Sequence, residues 1–173
     1  MHIAESARSL AIRELGLPEY LVNFLVELQC ADDLKYLFNF PYCFYARGPV
    51  DESPYWPELR TMELLPLWEH FESVCALDLG CKPPRYLRFF VESPEDFVVF
   101  GYSVHSALFH MLMLHVWDYG GGKKEAADAL NLAEQLHFPD ISRLSTMLQN
   151  PSTGEEDLAA YIEFLELSAR TGA

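Results

Sequence analysis

The sequence predicts an α+β fold, an antiparallel twisted sheet flanked by N-terminal and C-terminal helices. Three observations predict it. Helical periodicity fills both ends of the chain, and three short β-rich runs fall together in the middle. The linkers between those runs are too short for parallel crossovers. With 173 residues, half of them apolar and with twelve Phe and nine Tyr, the chain can build one core of its own. Residues 1–173 are therefore expected to form a single domain.

The elements follow in order. In "AESARSLAIREL" (4–15), Ala7, Leu10, Ala11 and Leu15 recur at helical spacing, and Gly16 supplies a stop with Pro18 just beyond. Pro18 suits the first turn of a second helix, "PEYLVNFLVELQ", whose stripe is Leu21, Phe24, Leu25 and Leu28. "KYLFNF" and "CFYA" are aromatic and strand-like, while Pro41, Pro49, Pro54, Pro57 and Pro66 interrupt anything longer. "RGPVDESPYWPEL" has the composition of an exposed loop. The strand runs are "SVCALDL" (73–79), "RYLRFFVE" (85–92) and "DFVVFG" (96–101), with turns at "GCKPP" and "SPE". The remainder is helical, and residues 123–173 form a C-terminal helical extension. Asp140 is placed to cap "ISRLSTMLQ", and Ser152 with Glu155 has capping-box spacing before the last helix.

Composition restricts function. A net charge of −14 repels phosphate backbones and anionic lipid and attracts a basic protein. Nucleic-acid and membrane partners are disfavoured. No apolar run reaches the ~20 residues that span a bilayer, and the N-terminus lacks the pattern of a signal peptide. The expected location is the cytoplasm, where Cys30, Cys43, Cys75 and Cys81 would be free thiols.

Chemical motifs are weak. His105, His110 and His115 recur every five residues, which scatters them around a helix instead of aligning them as metal ligands. Gly101-Tyr102-Ser103 after a strand and before a helix mimics the nucleophile elbow G-x-S-x-G, but His105 stands where the second glycine belongs. Ser103 has a simpler role as a helix N-cap. The pairs Asp32–Asp33 and Glu95–Asp96, and the Glu69, His70 and Glu72 group, read as solvated surface charge. No catalytic residue, metal or cofactor is expected.

Two segments resemble the SUKH superfamily, in particular its SUKH-4 branch. "SARSLAIRELGLPEYLVNF" (6–24) is similar to the opening helix and Gly-Leu-Pro corner of that branch. "SVCALDLGCKPPRYLRFFVESPEDFVVFGYSVHSALFHML" (73–112) is similar to its central meander and the corner entering a long helix. The corner departs from the family in reading "FGYSVHS", and residues 123–173 carry no family mark. The resemblance implies a cytoplasmic binding domain without enzyme activity, often an immunity protein that neutralises a nuclease-like bacterial toxin. The expected contacts are Tyr55 and Trp56 as anchors, ringed by Asp51, Glu52 and Glu58. A non-enzymatic adaptor and a small serine hydrolase using Ser103 are the alternatives.

Overall fold

The computed structural model describes residues 2–47, 59–93, 96–118, 122–150 and 153–171. The chain is mixed helix and sheet, with a four-stranded antiparallel sheet between helices, as the sequence predicts. It forms two compact units, one of residues 1–29 and 35–100 and the other of residues 30–34 and 101–173.

The first unit opens with helices α1 (Glu5–Arg13) and α2 (Glu19–Glu27), joined through Gly16 at φ +70°. The stripe of α2 is buried as expected. That of α1 is not: Leu10 is exposed, and α1 buries Arg8 and Ile12 instead. The reason lies in strand β1 (Leu64–His70), which runs through Pro66 where the sequence reading placed only a break. Between Pro66 and Trp68 the register with β2 (Ser73–Asp78) slips by a bulge. Proline lacks an N–H, so an outer strand with a bulge is where it fits a sheet.

Arg8 fills the resulting need. Its guanidinium donates to Pro66 O (3.0 Å), to Leu67 O and to Leu25 O (2.7 Å), with a longer approach to Val26 O. Leu25 and Val26 belong to the last turn of α2, whose carbonyls have no helical partner and form the negative end of its dipole. The face of Phe40 lies 5.2 Å from the guanidinium carbon. A buried cation thus ties α1, α2 and β1 together through main-chain oxygens.

The sheet order is β1-β2-β3-β4, with β3 at Arg85–Phe90 and β4 at Val98–Gly101. One face of the meander presents Val74, Ala76, Leu87 and Phe89 to a core with Phe44, Leu59 and Met62. On the other face Trp68 meets Phe38 edge-on at 5.5 Å, and Phe38 meets Phe24 of α2 at 5.2 Å. The strand-like "KYLFNF" and "CFYA" are mostly helical, as a 3₁₀ helix over Asp32–Leu37 and as α3 (Tyr42–Arg47). Asn39 alone makes a bridge, to Glu69. Pro41 is set at the start of α3, and Glu69 accepts from Cys43 N at 2.8 Å, so aromatic content is overridden by capping.

The second unit contains α4 (Val104–Asp118), α5 (Lys123–Gln135), α6 (Ile141–Gln149) and α7 (Glu155–Thr171). Helix α4 is apolar on nearly every side and is accordingly buried through Ala107, Leu108, Phe109, Met111 and Leu112. Asp140 caps α6 by accepting from Arg143 N at 3.2 Å, as predicted. Tyr161 of α7 packs edge-on to Phe109 and donates its hydroxyl to Pro139 O at 2.8 Å. Ser152, the expected capping-box residue, lies outside the described residues.

Candidate functional site

The elbow-like corner between β4 and α4 is built around a carboxylate. Gly101 sits at φ +128°, a conformation that favours glycine, and a Cβ there would collide with the Glu166 carboxylate. Oε1 of Glu166, reaching from α7, accepts from Tyr102 N (2.9 Å), Ser103 N (3.1 Å) and the Ser106 hydroxyl (2.5 Å). Ser103 Oγ accepts from Ser106 N at 3.0 Å, which is the capping role expected of it. In an acyl-transfer site such amides face the oxyanion of a substrate. Here they hold a carboxylate of the same chain, which neutralises the exposed amides and positive dipole end of α4.

The three histidines of α4 point apart. His105 Nε2 lies 3.0 Å from Leu136 O, and its ring meets Phe138 edge-on. His115 is buried beside Asp128, Glu125, Asp33 and Lys124, and burial holds its pKa down. Burial lowers His110 to about 4, favouring the neutral ring. Among the described residues no group of His, Cys, Asp and Glu is arranged to hold a metal ion.

A different cluster gathers at one end of the sheet in the first unit. The β1–β2 hairpin turns through Phe71 at φ +52°, a strained setting for a bulky side chain. Phe71 is 68% exposed and stacks at a tilt on His70 (4.5 Å) and Tyr36 (6.1 Å). Ser73 pairs with Phe90 across β2 and β3, which places Phe90, 47% exposed, beside the turn. Arg88 lies over the Phe90 ring at 5.2 Å, donates to Ser73 Oγ at 2.8 Å and approaches His70 Nδ1 at 3.4 Å. Ser73 in turn donates to His70 O. The cluster is therefore pre-ordered, with exposed aromatic faces and a guanidinium whose position is fixed.

Sequence reasoning missed this cluster, although two signals were present. "HFE" places phenylalanine at a tight turn where glycine or asparagine is usual. The alternation in "RYLRFF" puts Arg88 and Phe90 on the face opposite Leu87 and Phe89. The expected anchors Asp51, Glu52, Tyr55, Trp56 and Glu58 lie outside the described residues, as does Glu95. Glu69 and His70 correct the reading of surface charge: both are buried, Glu69 as the acceptor at the start of α3. Asp33 is exposed and pairs with Lys124 at 2.6 Å. Among the described residues no helix is long and apolar enough to cross a membrane, and none of the four cysteines is joined in a disulfide. The chain matches no family model, no curated protein and no solved structure.

Proposed function

We propose that this chain is a protein-binding domain that neutralises a basic partner by direct contact, an immunity protein of the kind its resemblance to the SUKH superfamily implies. The observation that carries the reading is the fixed cluster of Phe71, Phe90, Tyr36 and Arg88. Solvent-facing aromatics beside an ordered arginine have the composition of interface hot spots, and their order lowers the entropy lost on docking. The strain at Phe71 supports the same reading, since a turn chosen for stability alone would carry a different residue. The partner's sign comes from the net charge of −14, which steers a cationic surface such as a nuclease cleft towards this protein. Asp51, Glu52, Tyr55, Trp56 and Glu58 belong to the proposal as further contacts, and the cytoplasm as its location.

Affinity capture from the native host, followed by stopped-flow mixing with the captured protein, tests this. Association is expected to slow steeply as salt rises, and Phe71→Ser with Phe90→Ser to weaken binding at least tenfold. Capture of a partner whose association ignores salt would remove the steering argument. Unchanged affinity in the double variant would remove the cluster.

A further inference from the structure

The two edges of the sheet are protected unequally. At β1, Ile3 N donates to Leu64 O at 2.9 Å, Asn39 exchanges main-chain hydrogen bonds with Glu69 at 3.0 and 2.8 Å, and Pro66 and the bulge interrupt the strand between them. Such devices are how sheets prevent unwanted pairing. The opposite edge is β4, the last strand in the order. Its sequence, Val98-Val99-Phe100-Gly101, contains no proline and no charge. Among the described residues, no main-chain hydrogen bond from outside the sheet reaches Val98 or Val99. Val98 is 55% and Val99 40% exposed. Neighbours along a strand point to opposite faces, so the sheet is open on both sides at this edge.

The charge in the sequence flanking β4 is one-signed. Between Arg88 and Val104, where α4 begins, the sequence carries Glu92, Glu95 and Asp96 and no lysine or arginine. Glu92 and Asp96 are exposed. Both cations of the adjoining strand are already engaged, Arg85 with Asp78 at 3.2 Å and the ring of Phe97, and Arg88 with Ser73 Oγ at 2.8 Å and the ring of Phe90. A second copy of this chain would bring the same carboxylates and another −14 charges to the contact, so self-pairing is opposed.

We infer that the β4 edge is a strand-addition site for an extended basic segment of a partner protein. Main-chain hydrogen bonds to β4 supply register. The apolar side chains at alternate positions of the added strand lie together on one face beside one of the two valines, and lysine or arginine at the intervening positions lies on the other face and meets Glu92 and Asp96. The β4 edge is a different contact from the Phe71 cluster, although β4 pairs with the strand that carries Arg88 and Phe90, and it shares with the proposed function the sign of the partner's charge.

The test uses the full chain, labelled with nitrogen-15, and a synthetic seven-residue peptide of alternating lysine and valine. Control peptides replace lysine by glutamate or place proline at the centre. Binding of the Lys/Val peptide is expected to shift the amide resonances of Val98–Gly101 and slow their hydrogen exchange at least tenfold. The proline peptide should bind at least tenfold more weakly, and so should the Lys/Val peptide to Val98→Lys with Val99→Lys. Shifts centred on Phe71 and Phe90, equal binding of the proline peptide, or no binding would each overturn the inference. A captured natural partner that binds the double variant with unchanged affinity would also sink the edge while leaving the protein-binding reading intact. Binding of the Lys/Val peptide at β4 without any natural partner would do the reverse.

Discussion

Arg8 offers the sharpest test of how this sequence holds its first unit together. Arg8→Met keeps most of the apolar stem and removes every donor, so cavity formation is minimised. Three close carbonyl acceptors, Leu25 O, Pro66 O and Leu67 O, then lose their partner in a buried setting. An unsatisfied buried polar group costs about 1–3 kcal/mol. Against this stands relief from burying a cation, an effect also visible in the lowered pKa of Arg8, caused first by burial and opposed by nearby Tyr45. That relief is several kcal/mol at most, because carbonyls, a helix dipole and the Phe40 face already compensate the charge. The balance is a loss of about 3 kcal/mol, a large share of the roughly 5–15 kcal/mol typical of folded domains. With Trp56 and Trp117 changed to phenylalanine, fluorescence of the buried Trp68 reports on the first unit alone. At a urea slope of about 1–3 kcal/mol per molar, the midpoint should fall by about 1–3 M. Arg8→Lys should fall comparably, because an ammonium on a single stem cannot fork across two elements. A midpoint for Arg8→Met within about 0.3 M of the parent, beyond the error expected for such fits, would refute the reasoning.

Further outcomes follow from the same geometry. Glu166→Ala leaves Tyr102 N, Ser103 N and the Ser106 hydroxyl without their common acceptor, and should cost about 1–3 kcal/mol in thermal or urea unfolding of the second unit. Gly101→Ala combines a φ of +128° with the Glu166 collision and should cost about 1–3 kcal/mol, less in the Glu166→Ala background, where the collision is gone. Phe71→Asn relieves a left-handed phenylalanine, so its melting temperature should equal or exceed the parent's while partner binding weakens; a clear fall in melting temperature would show that the ring serves the fold. Stability should also fall with acid through His110. Its folded pKa of about 4 lies below the ordinary 6.5, so the unfolded chain takes up a proton first as pH drops. The contribution is complete above pH 6.5 and declines between 6.5 and about 4, by at most about 3 kcal/mol. A His110 ring that titrates near 6.5 by NMR would remove it.

What the chain determined locally was legible. Short strands with short turns fixed an antiparallel meander over 73–101, because no crossover fits "GCKPP" or "SPE". The stripe of α2, the Asp140 cap and the Ser103 cap each depend on neighbours within four residues. Long-range contacts decided the rest. Arg8 is buried because carbonyls from 17 to 59 residues away converge on it, and no periodicity announces that. Pro66 enters a strand because β1 is an edge with a bulge, and "CFYA" coils because Glu69 caps it from 26 residues away. Glu166 closes a corner more than 60 residues distant. Capping and pairing within a few residues are encoded in local sequence, whereas the partner of a buried charge or an orphan carbonyl exists only once the chain has folded back on itself.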